Sequence, residues 1–281
     1  MIKKILWALL AIIALYFAIG IALMATGTIH RLYFFPGYSI KKGSDRKFDQ
    51  SGVSTEGPII IYKDSLTIAQ SIVKKGDKNQ IKIDTITNTR TYPLHIFATD
   101  SNFSLYLKDS LKQEPAEYVL PQKMLILSDI EGNFKGFTMI LRGAGVIDSA
   151  FNWTFGEGHL VLNGDFFDRG LNVTQTLWLI YKLEQLAAIA GGKVHFILGN
   201  HEIMNLTGKY KYVRNQYLKN ADTLKLPYEE WYTSKTEMGR WLRTKNVIEK
   251  IGNTLFTHGG ISADLTKLNL SIQNVNTIAK N

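Results

Sequence analysis

The chain has 281 residues, six histidines, no cysteine and a formal net charge of +9; 45% of its residues are hydrophobic and 20% are charged. That balance is ordinary for a folded protein, and the missing cysteines exclude disulfide frameworks and thiolate metal sites. The basic excess is scattered, with only pairs such as Lys41-Lys42 and Lys74-Lys75, so it reads as solvated surface and no nucleic-acid partner is expected.

In chain order, the first element is apolar. Residues 5–29 contain no Asp, Glu, Lys or Arg, with Lys3 and Lys4 before them and Arg31, Tyr33, Phe34 and Phe35 after them. About 20 apolar residues span a bilayer, and a cleaved signal peptide has an apolar core of only ~7–15. A single-pass transmembrane anchor over residues 1–30 is therefore expected. The short basic tail favours a catalytic body outside the cytoplasm, although Arg31, Lys41, Lys42, Arg46 and Lys47 argue the reverse. Residues 31–57, rich in Gly, Ser, Lys and Asp from residue 36, read as a linker.

Residues 58–122 read as a small β-rich module. Short β-type runs fall at Pro58–Tyr62, Thr67–Val73, Gln80–Ile86, Leu94–Ala98 and Phe103–Leu107, and Gln80–Ile86 alternates strictly. They are expected to form either a separate antiparallel module or an extension of the main sheet, with His95 structural.

Residues 123–281 change to strand–loop–helix. Strands are expected at Met124–Leu127, His159–Leu162, Val194–Leu198, Val247–Ile251 and Thr254–Thr257, the last two around Gly252-Asn253. Helices are expected at Phe134–Gly143, Asn172–Ala190, Lys209–Lys219, Tyr228–Lys245 and Thr266–Lys280. Four polar strings follow strands: Asp129-Ile-Glu131-Gly-Asn133, Gly164-Asp165-Phe-Phe-Asp168-Arg169-Gly170, Gly199-Asn200-His201-Glu202 and His258-Gly-Gly260. Sites in open α/β sheets form outside the carboxyl ends of strands.

Hard ligands and imidazoles gathered there suggest two divalent metal ions, Mn, Fe or Zn, with water or hydroxide between them as nucleophile for phosphate-ester hydrolysis. Asp165 is placed to bridge. Asp129 and Glu131 would face one metal, and Asn200 and His258 the other. Arg169 can fork onto phosphate oxygens. His201 can protonate the leaving group, with Asp168 holding its ring in the right tautomer. Arg169, Asn200 and His201 would contact the substrate. Each string alone has a plainer reading as a turn, a cap or a polar loop; their order and strand-end placement make the chemical reading of the set.

At these residues the chain resembles the calcineurin-like metallophosphoesterase superfamily, and within it the phosphoprotein phosphatase branch, as a membrane-anchored bacterial-type member. The strings at 164–170, 199–202 and 258–262 match that branch's motifs. The resemblance covers about residues 123–265 and implies an αββα sandwich of two mixed sheets flanked by helices. It also implies Asp129 on the first metal, Asp165 bridging, Asn200 and His258 on the second, His201 with Asp168 as proton donor pair, and Arg169 as phosphate clamp. Two departures stand out. Glu131 replaces the family's histidine, and no histidine follows His258 where the family has one. A C-terminally incomplete phosphoesterase domain is the expectation, and an inactive metallophosphatase-like binding module at the membrane is the rival.

Overall fold

The computed structural model describes residues 2–26, 52–87, 91–96 and 99–280; the first of these stretches belongs to one unit and the rest to a second. In the first, helix α1 (Ile2–Ala25) covers most of the uncharged run, and Thr26 N donates to Ala22 O. Among the described residues no helix is long and apolar enough to cross a membrane. Several α1 side chains, Ile5, Ala8, Ile12, Ile21, Leu23 and Met24 among them, lie outside the described residues, as do the flanking aromatics Tyr33, Phe34 and Phe35 and most of the linker. The anchor thus rests on sequence alone.

The second unit opens with an antiparallel meander of β1 (Glu56–Lys63), β2 (Leu66–Lys75) and β3 (Lys78–Ile86), then a hairpin of β4 (Thr91–Ile96) and β5 (Ser101–Tyr106). These strands form their own sheets, so they do not extend the main one. Neither do they enclose a separate core. Ile60, Ala69, Ile72, Leu94 and Leu105 belong to the same buried cluster as Leu160, Leu177 and Trp241.

The main sheet is parallel: β7 (Met124–Leu127), β8 (His159–Asn163) and β9 (Lys193–Ile197), in that order. Its crossovers carry α2 (Phe134–Gly143) and α3 (Val173–Ile189). Helix α3 is buried nearly all round because the parallel sheet covers one side and the N-terminal strands another; Trp178 Nε1 donates to Pro58 O at 2.9 Å. A second sheet, ordered β11-β10-β6, joins β6 (Glu117–Tyr118), β10 (Ile248–Ile251) and β11 (Thr254–Thr257), with parallel and antiparallel pairs. Val161 and Ile197 of the first sheet pack with Ile251 and Phe256 of the second. The two sheets are therefore layered as the sandwich requires. Only the second is mixed, whereas two mixed sheets were expected.

Three expected helices differ. The pattern at Lys209–Lys219 yields to α4 (Asn200–Leu206), which ends before Gly208 at φ 77°, and to α5 (Asn215–Leu224). Tyr228–Lys245 breaks into a 3-10 helix (Tyr228–Tyr232) and α6 (Glu237–Leu242). Here the Thr236 hydroxyl accepts from Gly239 N and donates to Trp231 O, which starts a new helix instead of continuing the old one. The C-terminal pattern splits into α7 (Ala263–Lys267) and α8 (Ile272–Lys280), with Asn269 at φ 47° between them. Asn276 of α8 accepts from Val247 N and Ile248 N, tying that helix to the start of β10.

Candidate metal centre

The loops leaving β7 and β8 run side by side. Asp129 N donates to Gly164 O at 3.0 Å, Glu131 N to Asp165 O at 3.0 Å, and Gly132 N to Phe166 O at 2.9 Å. Five non-glycine residues here have left-handed backbone: Asp129 (φ 57°), Glu131 (48°), Asp165 (61°), Asp168 (66°) and Arg169 (51°). Each costs about 1–3 kcal/mol and persists only where its surroundings over-determine it.

Glu202 is the chief restraint. Its carboxylate, fully buried, accepts from Asp165 N, Phe166 N and Gly199 N at 2.7–2.9 Å and from Phe167 N at 3.3 Å. Burial pushes the Glu202 carboxyl up, and those backbone donors pull it back. Gly199 must be glycine for a steric reason, since a Cβ there would stand 2.4 Å from Asp165 Oδ1.

Asp129, Asp165 and His258 bring donor atoms within 4.8 Å of one another. His258 Nδ1 donates to Asn163 O at 2.8 Å, which leaves Nε2 as a lone-pair donor 3.1 Å from Asp165 Oδ2. Such a backbone bond is how a ligating histidine is oriented. Burial opposes charge on His258, but the Asn163 carbonyl and the carboxylates of Asp165 and Asp129 outweigh it and hold its pKa above the ordinary value. Two carboxylates and an oriented imidazole fit a divalent ion of the Mn, Fe or Zn class.

The remaining expected residues divide. Asn200 is exposed at the first turn of α4. Glu131, expected as a ligand, lies outside the three-residue group, and its carboxylate pairs with Arg169. The left-handed turn at Glu131 and a nearby guanidinium account for that direction. Burial raises the Glu131 carboxyl, with Arg169 working against the rise.

His201 and Asp168 form the expected pair, with Nδ1 2.6 Å from Oδ2; both are buried. Arg169 Nη2 lies 3.3 Å from His201 Nε2. Tyr212 backs both groups, with its ring 5.4 Å from the guanidinium carbon and 5.0 Å from the imidazole.

Sequence reasoning missed Glu202, Asn205, Tyr212 and Tyr228 as parts of this site. Glu202 lies inside a string already singled out. Asn205 is one helical turn past His201 and so shares its face. Tyr212 and Tyr228 have no local signal.

The family model described as "Metallophos: Calcineurin-like phosphoesterase" matches residues 122–281, more than half of the chain. A Shewanella-like protein phosphatase 1 of Plasmodium berghei is 30% identical over 157 residues, which are 55% of this chain and 43% of that protein. A Shewanella-like protein phosphatase 2 of Arabidopsis thaliana is 33% identical over 118 residues, 42% of this chain and 29% of its own. The chain thus spans less than half the length of these two relatives. The crystal structure of a cold-active protein-tyrosine phosphatase of a psychrophilic Shewanella species superposes with a TM-score of 0.73 at 34% identity, over 81% of this chain and 68% of that one. That likeness covers a larger share of the chain than residues 122–281 make up.

Proposed function

This chain belongs to the calcineurin-like phosphoesterase family, and from that membership we propose that it hydrolyses phosphate monoesters, phosphorylated protein side chains among them, with two divalent metal ions as cofactors. One observation carries the reading. The hard donors of Asp129, Asp165 and His258 meet, at the ends of strands from both sheets, the guanidinium of Arg169 and a buried His201–Asp168 pair.

Asp129, Asp165, His258 and Asn200 would hold the ions. Bound there, the ions would supply positive charge to the phosphoryl oxygens and make water a stronger nucleophile. The chain's own residues do the rest. Arg169 exchanges its Glu131 partner for phosphate oxygens and forks onto them. Water oxygen bonds to phosphorus as the ester P–O bond breaks, and that bond's electron pair stays on the leaving oxygen. A proton held on His201 Nε2 passes to it, while Asp168 stabilises the ring through Nδ1–H; the water gives up one proton as it becomes a phosphate hydroxyl, and a proton taken back from solvent restores the ring. The products are an alcohol and inorganic phosphate. Tyr212, partly exposed beside Arg169 and His201, offers an aromatic wall to an aryl ester. This suits a tyrosyl phosphate, the substrate in the name of the Shewanella structure.

Residues 5–29 would tether this domain to a bilayer with the body outside the cytoplasm, a reading that rests on their uncharged apolar sequence. A reporter active only in the cytoplasm, fused after Asn281, stays silent on this reading; a working reporter defeats it.

The rival, an inactive binding module, is favoured by one observation, the Glu131 carboxylate seated on Arg169. Purified full-length protein separates the two on 4-nitrophenyl phosphate with Mn, Fe or Zn, alongside His201→Ala. Turnover that needs the metal and is lost in His201→Ala supports the phosphatase. A folded protein inert with every ion supports the module.

A further inference from the structure

Behind the His201–Asp168 pair the polar chain continues. Asp168 accepts on its second oxygen, Oδ1, from Asn205 Nδ2 at 3.1 Å, and Asn205 Oδ1 accepts from the Tyr228 hydroxyl at 2.9 Å. Asn205 Nδ2 also donates to the His201 carbonyl at 2.9 Å. All four residues are buried, none more than 4% exposed.

These bonds permit one orientation of the Asn205 amide. Nδ2 faces two acceptors, and turning the amide over would set Oδ1 against both of them. Tyr228 is itself clamped, with the rings of Tyr210, Trp231, Tyr232 and Tyr217 centred 5.1–6.2 Å from its own. Burial pushes the Tyr228 hydroxyl well above its ordinary pKa, so it stays protonated and can donate. The chain joins three elements: Asp168 from the loop after β8, His201 and Asn205 from α4, and Tyr228 from the 3-10 helix.

We propose that Asn205 and Tyr228 are positioning residues for phosphoester hydrolysis, fixing Asp168 through its second oxygen and so holding the His201 ring with Nδ1–H on Asp168 and Nε2 toward the substrate. The kinetic side of this rests on the phosphoesterase reading above; the geometric side does not. A carboxylate held on one oxygen alone can rotate in its pocket and carry the imidazole with it. Held on both, it presents one lone pair in one direction. Tyr228 keeps the amide from turning over, and Asn205 passes that constraint to Asp168.

Leaving groups distinguish this role from a merely structural one. A misaimed His201 matters most when the departing oxygen needs its proton. A 4-nitrophenolate leaves without it, and an alkoxide does not. Full-length Tyr228→Phe and Asn205→Leu are therefore assayed on 4-nitrophenyl, phenyl and alkyl phosphates, with the melting temperature of each variant recorded. Expected are a kcat loss of at least about tenfold on the alkyl ester, a loss under about threefold on the 4-nitrophenyl ester, and KM within about twofold. Equal losses across the three esters overturn the proposal.

The 15N NMR of the His201 ring, assigned with His201→Gln, is the second readout. The Nδ1–H form is expected in the parent and a mixed or altered form in the variants. If the parent hydrolyses none of the esters, the phosphoesterase reading fails, and the ring spectrum still decides here. An unchanged Nδ1–H signal in both variants, Tyr228→Phe serving where Asn205→Leu does not fold, overturns the positioning role.

Discussion

At the carboxyl ends of β7 and β8, five charged residues adopt left-handed backbone, and the donor atoms of Asp129, Asp165 and His258 crowd one point. Toward the amino ends of the same sheet lies a second set of buried charges with no such backbone. Lys193, which opens β9, pairs with Glu114. Fully buried Lys245 reaches Glu114 at 2.9 Å and Glu184 at 2.6 Å, and Lys108 also pairs with Glu184. Beside them His159 bonds His195 at 2.9 Å, and His195 bonds Glu249 at 2.7 Å. Both regions are polar and each contains buried charged groups. The amino-end set closes on itself, cation against anion. The carboxyl-end set brings the donor atoms of Asp129, Asp165 and His258 together at one point, and it holds strained backbone to do so. Buried charge alone therefore does not mark a site here; strained backbone and converging donor atoms do.

The comparison can be broken at its strongest point first. Asp165→Asn removes charge from the converging donors, and turnover should fall by at least about 10³-fold with bound metal reduced. Metal analysis and kinetics on the same sample check this; retained activity would mean that the strained end is not the site. Lys245→Met should do the opposite. It strands Glu114 and Glu184 without their shared cation and should cost about 3 kcal/mol of stability, read as a lower urea midpoint, with activity per folded molecule unchanged. A loss of activity at full folding would join the two regions functionally.

Acid sharpens the contrast further. Burial opposes the charge on Glu114, but Lys245 and Lys193 outweigh it and hold its carboxyl down to about 2. A depressed carboxylate contributes stability that is present above its unfolded value near 4.5 and is lost as pH falls from there toward 2. The loss should approach roughly 3 kcal/mol across that window. Urea midpoints measured from pH 5 downward should show this slope, and Lys245→Met should flatten it. Glu202→Gln gives the smallest effect, since the amide keeps one acceptor for four backbone donors. A loss of about 2 kcal/mol of stability, read as a lower urea midpoint, is expected.

Much of this was legible locally. The strands Met124–Leu127 and Thr254–Thr257 and the helix Phe134–Gly143 fall where the apolar patterns put them, because each is a short run bounded by a strong turn. His95 was read as structural, and its Nδ1 lies 2.7 Å from Asn102 Oδ1 across the hairpin. Strings at strand ends located Asp165, Asp168, His201 and His258, since a residue just past a strand has few directions in which to point. Helices from 209 onward were misplaced, because threonine hydroxyls and left-handed residues compete with the helix over distances that periodicity does not weigh.

What the sequence determined by itself is thus the chemistry and the order of parts: three strands, each followed by its polar string, with a helix after the first two. The tertiary structure alone decided which groups face each other. Glu131 lies two residues from Asp129 yet turns to Arg169, and Tyr228 comes from 60 residues beyond Asp168 to hold it through Asn205. The reason is physical. Local pattern fixes where a side chain leaves the backbone, whereas its partner is chosen by the burial of whole elements against one another, and a buried donor must find whatever acceptor that packing delivers.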